Sequence, residues 1–315
     1  MKQVICTKNK ILLAIIISVI VLSRTLISIL NINNSIFIQQ DNYTGYVSAM
    51  AHNTLASSLF PDYGRRLFPG LPILMYLGSL GTKQTLVAGI FISIVSSAGV
   101  AFLLWKLIKS PLPALLSIVL PPVWVSQGGK VATEPVFAAL ALFAVFLFLK
   151  KKYLLTGILI GLTVTIRPIG IVLLLSFAPF LFKQPKKYLL HFLVGFSLPI
   201  LLFFIFNYTF FGSKEIFEQF IHGNRYGGFR LGFIQIAQDF YRTIAWKQYR
   251  IFSSGLFYVC TYLLALFMLY KKRNQSFLTK FSFLWMALSL LFILSPSPFT
   301  LLDNFGRYAL AALPP

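Results

Sequence analysis

Apolar residues run in long windows, near 11–30, 84–105, 111–125, 131–149, 153–166, 169–182, 188–211, 251–270 and 281–296, and one more begins at about 305. Several reach the ~20 residues that carry an α-helix across ~30 Å of hydrocarbon. The sequence has none of the ten-residue alternating stretches that mark a membrane barrel. The spans must then be helices, because a backbone in lipid has to satisfy its own hydrogen bonds. This pattern predicts an all-α polytopic membrane protein with about nine to ten transmembrane helices.

Three windows need interpretation. Lys2, Lys8 and Lys10 before the apolar run from Ile11 resemble the start of a secretory signal, but the run continues past Arg24 without a small-residue cleavage site, so it is read as a retained first span. The windows 153–166 and 169–182 are interrupted by Arg167-Pro168. They are either two short helices meeting at the far face or one broken helix, and two helices keep the topology consistent.

Two long polar and aromatic segments, 31–83 and 212–250, separate the windows; loops of that length in a compact protein are usually functional. In the first, Arg66-Leu67-Phe68-Pro69-Gly70-Leu71-Pro72 leads into an apolar stretch too short to span, which is expected to dip into the membrane interface. In the second, Leu231, Ile234, Phe240, Tyr241 and Ile244 recur at near-helical spacing and predict a helix lying in the interface. With no internal repeat and no soluble domain, residues 1–315 are read as one membrane-embedded domain.

Composition agrees: 57% of residues are hydrophobic and 11% charged, which excludes an ordinary soluble domain. The net charge of +21 would point to nucleic acid in a soluble protein. Here the lysines cluster between apolar runs, so no nucleic-acid partner is expected. With the N-terminus in the cytoplasm, fifteen of the 28 basic residues fall in five short cytoplasmic segments: Lys2, Lys8, Lys10; Lys106, Lys109; Lys150–Lys152; Lys183, Lys186, Lys187; and Lys271, Lys272, Arg273, Lys280. The same assignment puts all seven acids, Asp41, Asp62, Glu134, Glu215, Glu218, Asp239 and Asp303, on the opposite face with both long loops. Cys6 and Cys260 lie at different membrane depths and make no disulfide or zinc framework.

Chemistry is sought on that acidic face. Asp41, in Gln39-Gln40-Asp41-Asn42-Tyr43-Thr44-Gly45-Tyr46, is either a base for an acceptor hydroxyl or a solvated loop acid. Asp62 stands beside Arg65 and Arg66, which either pair with it or bind a phosphate. Glu134 opens a span, as a site carboxylate or as part of a helix start in which Thr133 caps and Pro135 suits the first turn. Arg167 lies at the same depth and pairs with Glu134, holds a lipid phosphate, or snorkels from a helix break. His222, Arg225, Arg230, Arg242, Lys247 and Arg250 make the second loop basic, and its aromatics suit a sugar or lipid tail. Arg307-Tyr308 sits at the mouth of the last window, where interfacial anchoring is the simplest role. No HExxH, Walker loop, GxSxG or metal-spaced His/Cys set is present.

Taken in order, Asp41 in the loop after the first span, Arg66 to Pro72, Thr133-Glu134-Pro135, Thr165 to Gly170 and Arg307-Tyr308 resemble the GT-C superfamily of integral-membrane glycosyltransferases. Within it the chain looks most like bacterial relatives of GPI-anchor mannosyltransferase II and of the dolichyl-phosphate-mannose protein mannosyltransferases. The resemblance implies a GT-C-like fold in the inner membrane and an extracytoplasmic site. It implies a polyprenyl-phosphate-linked sugar as donor, a lipid, glycan or protein hydroxyl as acceptor, and no metal or cofactor. The catalytic base falls on Asp41, with Asp62 the alternative, and Asn42 departs from the paired-acid form of some members. Tyr46, Arg65, Arg66, Glu134, Arg167, His222, Arg225, Arg307 and Tyr308 become the substrate-contacting set. Members commonly carry further helices beyond the Arg-Tyr position, so a chain ending at Pro315 is read as a fragment or a truncated form. The competing functions are a lipid-linked-sugar flippase or transporter, a surface-polysaccharide polymerase or ligase, and a scaffold subunit. Transporters place ionisable groups near the bilayer midplane, and only Arg24 departs from helix ends here.

Overall fold

The computed structural model describes residues 2–34, 43–52, 68–82, 84–112, 122–211 and 249–294. Every regular element among them is a helix: α1 (Lys2–Asn31), α2 (Tyr43–Ala51), α3 (Gly70–Thr82), α4 (Thr85–Ile108), α5 (Pro122–Gly128), α6 (Thr133–Leu149), α7 (Tyr153–Ile166), α8 (Gly170–Leu181), α9 (Lys186–Phe211), α10 (Tyr249–Lys272) and α11 (Phe277–Leu294). Three of them, over Lys10–Asn31, Thr85–Ile108 and Lys186–Phe211, are long and apolar enough to cross a membrane. Shorter apolar helices fill Gly70–Leu80, Thr133–Leu149, Tyr153–Ile166, Gly170–Leu181 and Phe277–Leu291. The chain is a helical membrane protein. Of the window 111–125 only the ends are described, and the interfacial helix expected within 212–250 lies outside the described residues.

Burial separates central helices from lipid-facing ones. Along α6, Val136, Phe137, Ala141, Leu142, Ala144 and Val145 are all buried, so a helix apolar on every side sits inside the bundle. α1 and α9 instead expose Leu22, Leu26, Leu198, Leu201 and Leu202, apolar surface suited to acyl chains. On its inner side α1 buries Leu13, Ile16, Ile20, Arg24 and Ser28, nearly all four residues apart, and packs that stripe against α4.

The closest helix pair is α7 with α9. A methyl group at Gly157 would land on the carbonyl oxygen of Phe192, and one at Gly195 on that of Leu154. At Gly161 it would come within 2.7 Å of the Phe196 carbonyl oxygen. Gly157 and Gly161 thus form a small-xxx-small face that lets two backbones touch, the usual means of packing helices where no hydrophobic force acts between them.

α7 ends where Arg167 turns extended (φ −148°, ψ 137°). The cause is Pro168, whose ring disfavours helical geometry in the residue before it. The chain re-enters a helix at Gly170, where a side chain would strike the backbone of Thr163 and Val164. Two helices meeting at a break, as the window pattern suggested, is the observed arrangement. The stretch after Arg66–Pro72 forms α3, whose thirteen residues reach about 20 Å, short of a span. It buries Leu71 and Met75 and packs against α4.

The two ends of the bundle differ. At one, the turns joining α6 to α7, α8 to α9 and α10 to α11 gather on aromatic contacts. Phe148 lies 5.4 Å from Tyr153 and 5.3 Å from Phe277, Phe177 lies 4.5 Å from Phe281, and Tyr153 lies 4.9 Å from Tyr188. The Tyr153 hydroxyl also donates to Gln184 Oε1 at 3.1 Å. Lys150–Lys152, Lys183, Lys186, Lys187 and Lys271–Arg273 flank these turns, so this is the lysine end. Thr133, Ile166 and Gly170 consequently stand at the opposite end.

Candidate functional site

At the end away from the lysines, pieces distant in sequence converge. Arg167 Nη1 lies 2.8 Å from Glu134 Oε1, joining the break between α7 and α8 to the first turn of α6. The Glu134 side chain is fully buried and that of Arg167 is 12% exposed. The contact is an ion pair by distance, without the N–H alignment of a hydrogen bond. Gly70, the first residue of α3, abuts the same break: a methyl there would fall 2.6 Å from Ile166 Cγ1 and 2.8 Å from the Thr165 carbonyl oxygen. Nearby, Phe68 stacks on Phe203 of α9 with ring centres 6.0 Å apart.

The start of α6 differs from the sequence expectation in one respect. Thr133 does not cap it; the cap position is Ala132, extended at φ −143° and ψ 146°, with no side-chain capping bond. The helix begins one residue early for Thr133 to cap, and Thr133 Oγ1 lies 3.5 Å from Glu134 Oε2, a long contact. What holds this entry instead is Ser93 of α4, whose hydroxyl accepts from the Ala132 N–H at 3.3 Å. A negative side chain in the first turn also suits the helix dipole.

The connection before it, Gly128 to Ala132, is wedged between α1 and α4. Ser28 Oγ lies 2.7 Å from the Gly129 carbonyl oxygen. A methyl on Gly128 would fall 2.6 Å from Ser97 Oγ and 3.2 Å from Arg24 Nε. Arg24 is therefore inside the bundle, 1% exposed, a charged group that sequence reasoning noticed only as an exception. Its signal was legible: it falls four residues after Ile20 in the buried stripe of α1.

Tyr46, on α2, is 1% exposed and belongs to a separate cluster with Ala49 and Phe211. Burial pushes its phenol above the ordinary tyrosine range, so it stays a neutral hydroxyl at physiological pH. Its oxygen has no hydrogen-bond partner among the described residues. Tyr46→Phe should therefore leave thermal stability unchanged or raise it by up to ~1 kcal/mol, since it removes a buried unsatisfied group. A larger loss in detergent melting would show that the hydroxyl has a partner in the folded protein.

Of the sequence-predicted site residues, Glu134 and Arg167 are brought together, and Tyr46 is buried in the cluster with Ala49 and Phe211. Asp41, Asp62, Arg65, Arg66, His222, Arg225, Arg307 and Tyr308 lie outside the described residues. Glu134 is the single acid among the described residues. Comparison of the chain with protein families, curated proteins and solved structures returns no match.

Proposed function

We propose that this chain is an integral-membrane glycosyltransferase of the GT-C type, with about nine to ten helical spans across the inner membrane. Its N-terminus is cytoplasmic and its reaction takes place on the extracytoplasmic face. The donor is a polyprenyl-phosphate-linked, mannose-like hexose, and the acceptor is a hydroxyl of a lipid, glycan or protein. The observation that carries this reading is the junction of Gly70, Thr165, Arg167 and Glu134. Three segments of the ordered pattern that resembles the superfamily, scattered over a hundred residues, meet at the end opposite the lysines.

The reaction is a single displacement with inversion. Asp41 takes the proton of the acceptor hydroxyl as its oxygen bonds to the anomeric carbon, and the bond from that carbon to the polyprenyl phosphate breaks, its electron pair leaving with the phosphate. Arg65, Arg66 and Arg307 are the cations assigned to the phosphate's growing charge. Arg167 instead holds the site wall, since its charge is already met by Glu134. Arg225, in the basic second loop with His222, binds the donor, and Arg225→Gln raises donor KM. The buried Arg24 favours one competing reading, a lipid-linked-sugar flippase, because ionisable groups inside spans mark substrate pathways.

The test is transfer from radiolabelled polyprenyl-phosphate mannose, glucose and arabinose to membrane acceptors by wild type, Asp41→Asn and Asp62→Asn. Transfer lost in Asp41→Asn, with normal membrane insertion, is the expected result. A wild type that transfers none of these sugars but moves the lipid-linked sugar across vesicles replaces the transferase with the flippase.

A further inference from the structure

Arg24 has no role in the proposed transfer, and its surroundings give it one of its own. It sits seven residues before the end of α1, about 10 Å inside that helix terminus. The guanidinium stays protonated in any protein environment, and an uncompensated charge at that depth is costly. One of its nitrogens is satisfied: Nη1 donates to Ser23 Oγ at 2.9 Å. Nε and Nη2 are buried without a hydrogen-bond partner among the described residues.

Which two are left over is informative. The Nε–H and the Nη2–H that lies beside it point the same way from one edge of the guanidinium plane, and that parallel pair fits two oxygens of a single phosphate or carboxylate. The chain has occupied the other edge and kept this one. Gly128 packs closely on this side chain: a methyl there would fall 2.6 Å from Ser97 Oγ, 3.0 Å from Arg24 Cγ and 3.2 Å from Nε. Ser23, Ser28, Ser93 and Ser97 make the seam between α1, α4 and the Gly128–Ala132 connection a polar layer inside otherwise apolar helices.

We infer that the unpartnered Nε and Nη2 edge of the Arg24 guanidinium, close to Gly128 and Ser97, is a phosphate-binding subsite for a membrane lipid. The choice of a polyprenyl phosphate as that lipid rests on the proposed function; the phosphate chemistry does not. Arg24 lies within Lys10–Asn31, a helix long and apolar enough to cross a membrane, so a phosphate at that depth is one carried by a lipid.

The experiment measures binding without turnover. The full chain in nanodiscs is titrated with a polyprenyl monophosphate and with the matching phosphate-free polyprenol, for wild type, Arg24→Gln and Arg24→Lys. Wild type should prefer the phosphate by about tenfold to a hundredfold, the effect of one charge-assisted bidentate contact. Both variants should lose that preference, Arg24→Lys because it keeps the charge without the parallel pair; it also serves if Arg24→Gln does not fold. Competition by phosphatidylglycerol then distinguishes the source: displacement at equal concentration assigns a bilayer headgroup, and no displacement assigns the polyprenyl carrier. A wild type with no preference, or variants that keep it, overturns the inference. Phosphate preference dependent on Arg24 in a protein that transfers no sugar retains the subsite and dismisses the transferase. Normal transfer by a wild type that shows no phosphate preference does the reverse.

Discussion

Gly157→Leu is expected to abolish the docking of α7 on α9 and to leave little folded protein after detergent extraction. Even the first carbon of a side chain at 157 meets the Phe192 carbonyl oxygen, which belongs to the helix backbone and cannot rotate away. Overpacking a core with flexible neighbours costs ~1–3 kcal/mol. Here the obstacle is backbone on both sides, so the cost should be at or above about 3 kcal/mol, and the helices must separate to relieve it. Gly195→Leu should behave alike, because it meets the Leu154 carbonyl oxygen on the facing helix. Gly99→Ala is the matched control: a methyl there has nothing within 4 Å, and alanine favours the helix by roughly 1 kcal/mol over glycine. SDS-titrated unfolding of the three variants measures the contrast. Equal stabilities for Gly157→Leu and Gly99→Ala would mean that α7 and α9 do not touch at these glycines.

Glu134→Gln should destabilise by about 3 kcal/mol, the low end of the cost of removing one partner from a buried ion pair. The loss comes less from the attraction itself than from the arginine left without its counter-charge. Arg167, at 12% exposure, has a short route to water, which keeps the figure from the top of the range. Arg167→Met in the Glu134→Gln background should restore part of the stability, because the uncompensated cation is then gone. A double-mutant cycle measures this as a coupling energy. Simple additivity of the two substitutions would show that the charges are not paired. The cycle also bears on activity: if the pair fixes the site wall, kcat falls in both single variants in proportion to unfolding, and Arg167→Lys, which keeps a cation, retains more than Arg167→Met.

Much of the architecture was readable residue by residue. Pro168 ends α7 through the backbone of Arg167, a local steric effect that needs no knowledge of neighbours. The turns rich in lysine were legible for the same reason, since charge between apolar windows has to lie outside lipid. The pairing of Glu134 with Arg167 was one of several readings of those residues. Choosing among them required knowing that the start of α6 and the end of α7 stand side by side, 33 residues apart. The start of α6 was misjudged by one position, since Ala132 rather than Thr133 lies outside the helix. Gly157, Gly161 and Gly195 were invisible as contacts: within apolar windows they read only as small residues.

The amino-acid sequence by itself determined the solvent, the helices and their breaks, because segment length, proline and charge act over one or two turns of chain. Only the tertiary structure decided which faces meet. In a window apolar on every side, as in α6, there is no polar stripe to say which way the helix is turned, and rotation is set by neighbours instead. That rotation is what directs Arg24 inward to Gly128, brings Gly157 onto Phe192 and closes Arg167 on Glu134.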